Sequence, residues 1–232
     1  MTTSAPPAPA APAATGRPRF IQRFGVAERL LHWLFTVDVT LLVLSGLGLY
    51  LPPEHNPVLE RRALMHTIHI DAAIGMFVLP LLFVALWPDT ARRLWHDVEW
   101  FDADDWRWLR RAGIPRFLRR NPLPAQSRFN AGQKLNTIAV AAATVGFIGT
   151  GIIMDYGARL PPSWSDAADT WHIWLMYLGA PLLAGHVILA VLPPSTRPAM
   201  RGIVTGWVRL DFARRRHAKW VAEVAPESSD SE

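Results

Sequence analysis

The sequence predicts an all-α membrane protein built as a four-transmembrane-helix bundle. Three observations carry this. Half of the 232 residues are hydrophobic, and they fall in four long blocks rather than in short periodic stripes. The connectors between blocks are short, long, then short again. Arginine is distributed very unevenly among them: nine in residues 88–128, six with one Lys in 193–232, and three in the first 28 residues. The two short connectors hold only Arg61, Arg62 and Arg159. By the positive-inside rule both termini and the long loop are cytoplasmic, and the short connectors face outward. The net charge of +5 follows this membrane pattern, which argues against nucleic-acid binding. The absence of Cys excludes disulfides, thiolate-bound zinc and iron–sulfur clusters held by this chain.

Residues 1–19 form an Ala/Pro tract that cannot bury a face, and a disordered cytoplasmic tail is expected there. No charged region followed by an apolar one opens the chain, so the tract does not read as a signal peptide. The first span covers about 26–51 and is closed by Pro52 and Pro53. It carries His32 about one turn inside, and Asp38 about 9 Å deeper by helical rise. An unpaired carboxylate is costly at that depth. Three roles suit Asp38: pairing with a buried cation, hydrogen bonding while protonated, or feeding protons inward.

The second span, about 63–87, starts on the outer side with His66, His69 and Asp71, and contains Pro80. The loop 88–128 mixes Trp with Arg in WHDVEWFDADDWRWLRR, as an interfacial amphipathic helix does. It reads equally as a lipid-anchored loop or as a docking surface. The third span, about 131–156, is rich in small residues that favour close helix packing. The fourth, about 168–192, carries His172, Pro181 and His186. A basic amphipathic segment at 196–220 suits anionic lipid or a cytoplasmic subunit, and an acidic tail closes the chain at 223–232. Residues 20–222 are expected to form the folded domain.

The histidines organise the bundle. His172 and His186 are fourteen residues apart, close to four helical turns, so they share a face and lie about 21 Å apart along the axis. His32 matches the depth of His186, and His69 matches His172. Four spans thus give two imidazole pairs, the arrangement of bis-imidazole haem b between facing helices. His66 competes with His69 as the ligand, and His69 is deeper. The alternative for any one of these residues is a satisfied interhelical hydrogen bond. His55, His96 and His217 sit in polar segments and read as surface residues. At the start of the third span, Asn130 and Gln133 have the spacing of a capping box, and Gly132 allows close backbone approach. The same turn lies beside the inner haem level, where its amides can hydrogen-bond a quinone carbonyl.

The motifs ERLLHW (28–33), HIDAAIG (69–75), FNAGQK (129–134) and RGIVTG (201–206), with the His172/His186 pair, resemble the cytochrome b (gamma) subunit of respiratory formate dehydrogenases. The likeness covers about residues 20–222, and FNAGQK is its most specific part. It implies two haem b groups ligated by His32, His69, His172 and His186, and a menaquinone- or ubiquinone-type site at Asn130, Gly132 and Gln133. It also implies an iron–sulfur subunit and a catalytic subunit as partners, in the bacterial inner membrane. The expected role is an electron-transfer and quinone-reducing subunit that does not itself oxidise formate. Electrons from the outer side would cross to a quinone that takes protons from the cytoplasmic side. Arg29, one turn from His32, is either a haem-propionate partner or a snorkelling interfacial Arg. Asp38 and Asp71 depart from the pattern, as does the Ala/Pro tail. The rival readings are the b-type cytochrome of a hydrogenase or a thiosulfate-type reductase, and a haem-free membrane anchor or proton-relay protein.

Overall fold

The computed structural model describes residues 19–114, 118 and 120–225; the Ala/Pro tail up to residue 18 and the acidic end from residue 226 lie outside the described residues. The chain enters through strand β1 (Phe20–Gln22) and turns into α1 (Val26–Tyr50) at Gly25. Glu28, at the third helical position, accepts the Gly25 N–H at 2.8 Å and so satisfies a donor near the helix start. The connector after α1 is pinned by Asn56, whose Nδ2 donates to the Gly48 carbonyl at 2.7 Å. The long apolar helix α2 (Arg62–Leu86) follows and runs unbroken through Pro80.

The loop expected to hold an interfacial helix forms two, α3 (Pro88–Glu99) and α4 (Ala103–Ala112). The break is chemical. Asp102 accepts the backbone N–H groups of Asp104 and Asp105 at 2.8 and 2.9 Å, and Asp105 returns a bond to the Asp102 N–H. This reciprocal cap starts a new helix inside what reads as one amphipathic stretch. Trp95, Trp100 and Trp106 remain exposed.

Next come α5 (Ala131–Asp155) and α6 (Pro162–Val191). At thirty residues α6 is the longest, because Pro162 at its first position suits a helix start although PSWSDAAD is too polar to show in hydropathy. α1 packs along α2 and α5 along α6, giving two hairpins. The expected close packing of small residues is visible at Gly146, where a Cβ would fall 2.9 Å from Leu175 Cδ1. Val37, Leu44, Phe77, Val145 and Leu178 are exposed. That surface suits hydrocarbon rather than water, and all four helices are long and apolar enough to cross a membrane.

One end of the bundle, called the base here, is capped by a polar layer of residues 19–25, 88–112, 120–130 and 193–225. The C-terminal segment does not form one amphipathic helix. It folds as α7 (Met200–Thr205), β2 (Trp207–Arg209), α8 (Leu210–Arg216) and α9 (Ala218–Val224). β2 pairs antiparallel with β1, placing Ile21 opposite Val208. Val208, Phe212, Ala213, Trp220 and Val221 form a small buried core beneath this pair. Gly206 ends α7 at φ 91°, and a Cβ there would meet the Phe24 carbonyl oxygen at 2.8 Å. Its own carbonyl accepts the N–H groups of Arg23 and Phe24.

Charged groups lock the layer to the helices. Lys134 of α5 is buried; its Nζ lies 2.8 Å from Asp105 Oδ2 and donates to the Trp100 carbonyl at 2.7 Å. Arg128 pairs with Glu28 of α1, and its Nε lies 3.1 Å from Asp97 of α3. Lys219 of α9 bridges Asp102 and Asp104 at 2.6 and 2.7 Å. His217, expected on the surface, is instead only 3% exposed, and its Nδ1–H donates to the Ser127 carbonyl at 2.8 Å. A polar segment reads as surface in sequence, but here it folds back onto the bundle. His55 and His96 are exposed.

Burial drives the His217 imidazole down to about 3, and the nearby charge of Arg23 adds to it, against the opposing bond to Ser127. An unfolded histidine takes a proton near pH 6.5. Between those two values the unfolded layer binds more protons than the folded one, so stability is present above about pH 6.5 and falls as the pH drops toward 3. Amide hydrogen exchange in β1 and β2, corrected for intrinsic rate, should therefore accelerate from pH 6.5 to 4. His217→Gln should flatten that dependence; an unchanged slope in the variant would count against His217 as its source.

Candidate functional site

Between the two hairpins four imidazoles meet in pairs. His32 of α1 and His186 of α6 have ring centroids 6.4 Å apart, at 46° between planes. His69 of α2 and His172 of α6 have centroids 6.3 Å apart, at 62°. The structure thus brings together the two pairs that depth matching sets side by side. α6 contributes one imidazole to each. His66, the competing candidate, is exposed on α2.

Hydroxyl groups assign the tautomers. Ser45 Oγ donates to the Leu41 carbonyl at 2.6 Å, which uses its only proton. It is therefore an acceptor toward His69 Nδ1, 3.0 Å away. Thr150 Oγ1 donates to the Gly146 carbonyl and accepts from His172 Nδ1 at 2.8 Å. In both rings Nδ1 carries the proton and the Nε2 lone pair is left for a ligand. A hydroxyl holding the distal N–H of a metal-binding histidine fixes its orientation. Thr36 Oγ1 lies 3.5 Å from His32 Nδ1, too far for a strong bond. Phe147 packs edge-on against His172 and Trp33 against His32.

The spacing can be tested against a ligand. Two metal–imidazole bonds of about 2.0 Å, with each centroid about 1.1 Å behind its ligating nitrogen, put the centroids about 6.2 Å apart. Both pairs have room for one metal between two imidazoles. Among the described residues no three of His, Asp and Glu converge. A metal here must bring its remaining ligands with it, as a porphyrin does. The residues present fit haem.

At the base, Asn130 and Gln133 form the expected capping box. Asn130 Oδ1 accepts the Gln133 N–H at 2.9 Å, and Gln133 Oε1 accepts the Asn130 N–H at 3.1 Å. Gln133 Oε1 also accepts from Arg23 Nη2 at 3.2 Å. The Gln133 oxygen thus has both acceptor positions engaged, and the Asn130 oxygen one of its two. Gly132 does allow close approach, but what approaches is Trp108, whose ring carbons would lie 3.1 Å from a Cβ. Arg29 Nη1 donates to the Val204 carbonyl at 2.9 Å, and Trp33 Nε1 donates to that of Ile203 at 3.2 Å. The RGIVTG stretch therefore docks onto α1 one turn before His32. Arg23 is almost fully buried, and burial followed by the charge of Arg128 lowers its guanidinium to about 9.

Asp38 is buried against Gly75, where a Cβ would lie 2.5 Å from its Oδ1. Its Oδ2 is buried without a hydrogen-bond partner among the described residues. Of the three roles considered, pairing with a buried cation has no support there. Asp71 is exposed. Sequence reasoning missed Ser45, Thr150, Arg23 and Trp108. Ser45 had a signal: it lies thirteen residues past His32, about 20 Å along α1, and therefore at the level of the His69–His172 pair.

Comparison with known proteins agrees with this geometry. Over 208 residues the chain is 26% identical to the formate dehydrogenase cytochrome b556(fdo) subunit of Escherichia coli (strain K12), covering 88% of this chain and 93% of that one. It is 24% identical over 210 residues to the formate dehydrogenase cytochrome b556 subunit of Haemophilus influenzae, covering 88% and 83%. Residues 23–206, which include all four helices up to the end of α7, match the family described as prokaryotic cytochrome b561. The chain belongs to the prokaryotic cytochrome b561 family and is a multi-pass membrane cytochrome b that serves in electron transfer.

Proposed function

We propose that this chain is the dihaem cytochrome b subunit of a formate dehydrogenase-type complex in the bacterial inner membrane. It passes electrons from an iron–sulfur and catalytic partner on the outer side to a quinone on the cytoplasmic side. The observation that carries the reading is the pair of imidazole pairs at 6.3 and 6.4 Å, both bridging the hairpins. The names of the relatives over most of the chain support the choice of complex. The concentration of Arg in the base supports a cytoplasmic base, with both termini on that side.

In this reading His69 and His172 hold the outer haem, and His32 and His186 hold the inner one. When bound, the haems supply one-electron centres, one toward each membrane surface. Ser45 and Thr150 hold the outer ring orientations. Arg29 has a buried Nε without a partner among the described residues, which suits it to a propionate of the inner haem. Asn130 and Gln133 turn N–H groups toward a quinone carbonyl, Gly132 lets Trp108 back the turn, and the cytoplasmic base supplies the protons that quinone reduction consumes.

The purified chain should show a b-type α band in a reduced-minus-oxidised spectrum, with two haems per chain. His186→Ala should remove one haem and leave the other, read by haem content and by loss of one redox transition; retention of both would refute the pairing. Asn130→Ala should weaken menadione binding about tenfold while both haems stay, since one hydrogen bond to a buried carbonyl is lost. Unchanged affinity would leave the turn as a helix cap alone.

A further inference from the structure

Arg23 is a buried cation in an unusual setting. Its side chain is 3% exposed, yet among the described residues no carboxylate pairs with it. It stacks over the Phe24 ring at 5.1 Å. Its Nη2 donates to the Arg128 carbonyl at 2.6 Å and to Gln133 Oε1 at 3.2 Å. A buried guanidinium is costly, and here Nη2 donates to two neutral oxygens while Nε is buried without a partner among the described residues. One of these belongs to an amide at the proposed quinone site.

That contact decides which way the amide points. Gln133 Oε1 receives two donors, Arg23 Nη2 and the Asn130 backbone N–H. Rotating the amide by half a turn would set its NH₂ against both, two donor–donor clashes in place of two bonds. Asn130 is held the same way, because its Oδ1 takes the Gln133 N–H. Gln133 therefore offers its NH₂ group and no oxygen. Such a group satisfies a carbonyl, which only accepts. It leaves a hydroquinone O–H set against it with no acceptor, and an unmade bond of a desolvated hydroxyl weakens binding.

We infer that Arg23 is a positioning residue that locks the Gln133 amide with its nitrogen outward, so that the FNAGQK turn takes an oxidised quinone in preference to the quinol. The inference rests on the quinone site proposed above. It gives that site a direction: the reactant is held and the reduced product is released.

The test compares menadione with menadiol on the full haem-loaded chain in detergent, by anaerobic equilibrium dialysis. The wild-type chain should bind menadione about tenfold or more tightly than menadiol, the size of one lost hydrogen bond. Arg23→Gln should lower that ratio at least about threefold, because one of the two donors holding Oε1 is gone. Arg23→Lys, which keeps a cationic donor, should restore most of it. Gln133→Glu keeps an oxygen toward Arg23 and gains an ion pair, but it replaces outward donors with acceptors. It should abolish or reverse the preference while both haems remain. A fold-only role for Arg23 would leave the ratio unchanged in Arg23→Gln and Arg23→Lys when they retain the haem spectrum, and that result overturns the inference. If Arg23→Gln fails to assemble, Gln133→Glu decides alone: a retained menadione preference refutes the donor-only turn. A wild-type ratio near one, with Asn130→Ala still weakening menadione binding, overturns the inference and leaves the site standing. No effect of Asn130→Ala on either probe removes the site and the inference together.

Discussion

The spacing of two imidazoles on α6 is the constraint on which the rest of the bundle depends. His172 and His186 are fourteen residues apart, so they leave one face at two levels. α1 must then present His32 at one level and α2 must present His69 at the other. Within a hairpin, small residues and leucines allow close contact, as at Gly146 against Leu175. Between hairpins the paired imidazoles stand 6.3 and 6.4 Å apart, centroid to centroid. Lipid supplies no hydrophobic drive to close such a gap, since the outer surfaces are as content in hydrocarbon as the inner ones. The polar base joins the hairpins at one end, tying Lys134 of α5 to α4 and Arg128 to α1.

The base supplies the other half of the rigidity. Lys134 enters it from α5 and finds Asp105 of α4. Breaking a buried pair of that kind by removing one partner costs about 3–5 kcal/mol, because the remaining charge is stranded. The pair seats α4 under the start of α5 and lets the Trp108 ring fill the space that Gly132 leaves. Gln126 completes the seat, its Oε1 accepting the Ala131 N–H at 2.8 Å. The helix start that carries Asn130 and Gln133 is therefore held by Asp105 and Trp108 from α4 and by Gln126 just before it in sequence. A turn with such support keeps its hydrogen-bonding groups in one orientation, as a recognition site requires.

What was legible in the sequence was what obeys a period. Hydropathy shows four apolar stretches because lipid contact imposes length. The histidines could be paired because helical rise converts sequence distance into depth. The capping box at Asn130 was legible because its two members lie only three positions apart. What was not legible was what depends on the chain returning to itself. His217 reads as a surface residue and is buried, since its burial comes from Ser127, ninety residues earlier. Arg23 reads as one more cytoplasmic arginine, and only its bond to Gln133 shows otherwise. Thr150 and Ser45 look like ordinary small polar residues in apolar helices, until a neighbouring helix sets an imidazole against each.

Pro181 lies between the two histidine levels of α6, and the helix continues through it. A proline there removes one donor and frees the carbonyl of Tyr177, four residues earlier. It bends a helix without changing the number of residues per level, so His172 and His186 keep their axial separation while their rings are free to differ in angle. The pairs do differ, at 62° and 46° between planes. The outer pair has both tautomers held by hydroxyls, through Ser45 and Thr150, whereas at the inner pair His32 has only a long approach to Thr36. Hydrogen bonding to the distal nitrogen raises the basicity of a ligand imidazole and favours the oxidised metal. The His69–His172 pair is therefore the more firmly oriented of the two, since a held distal N–H fixes the angle of an imidazole ring.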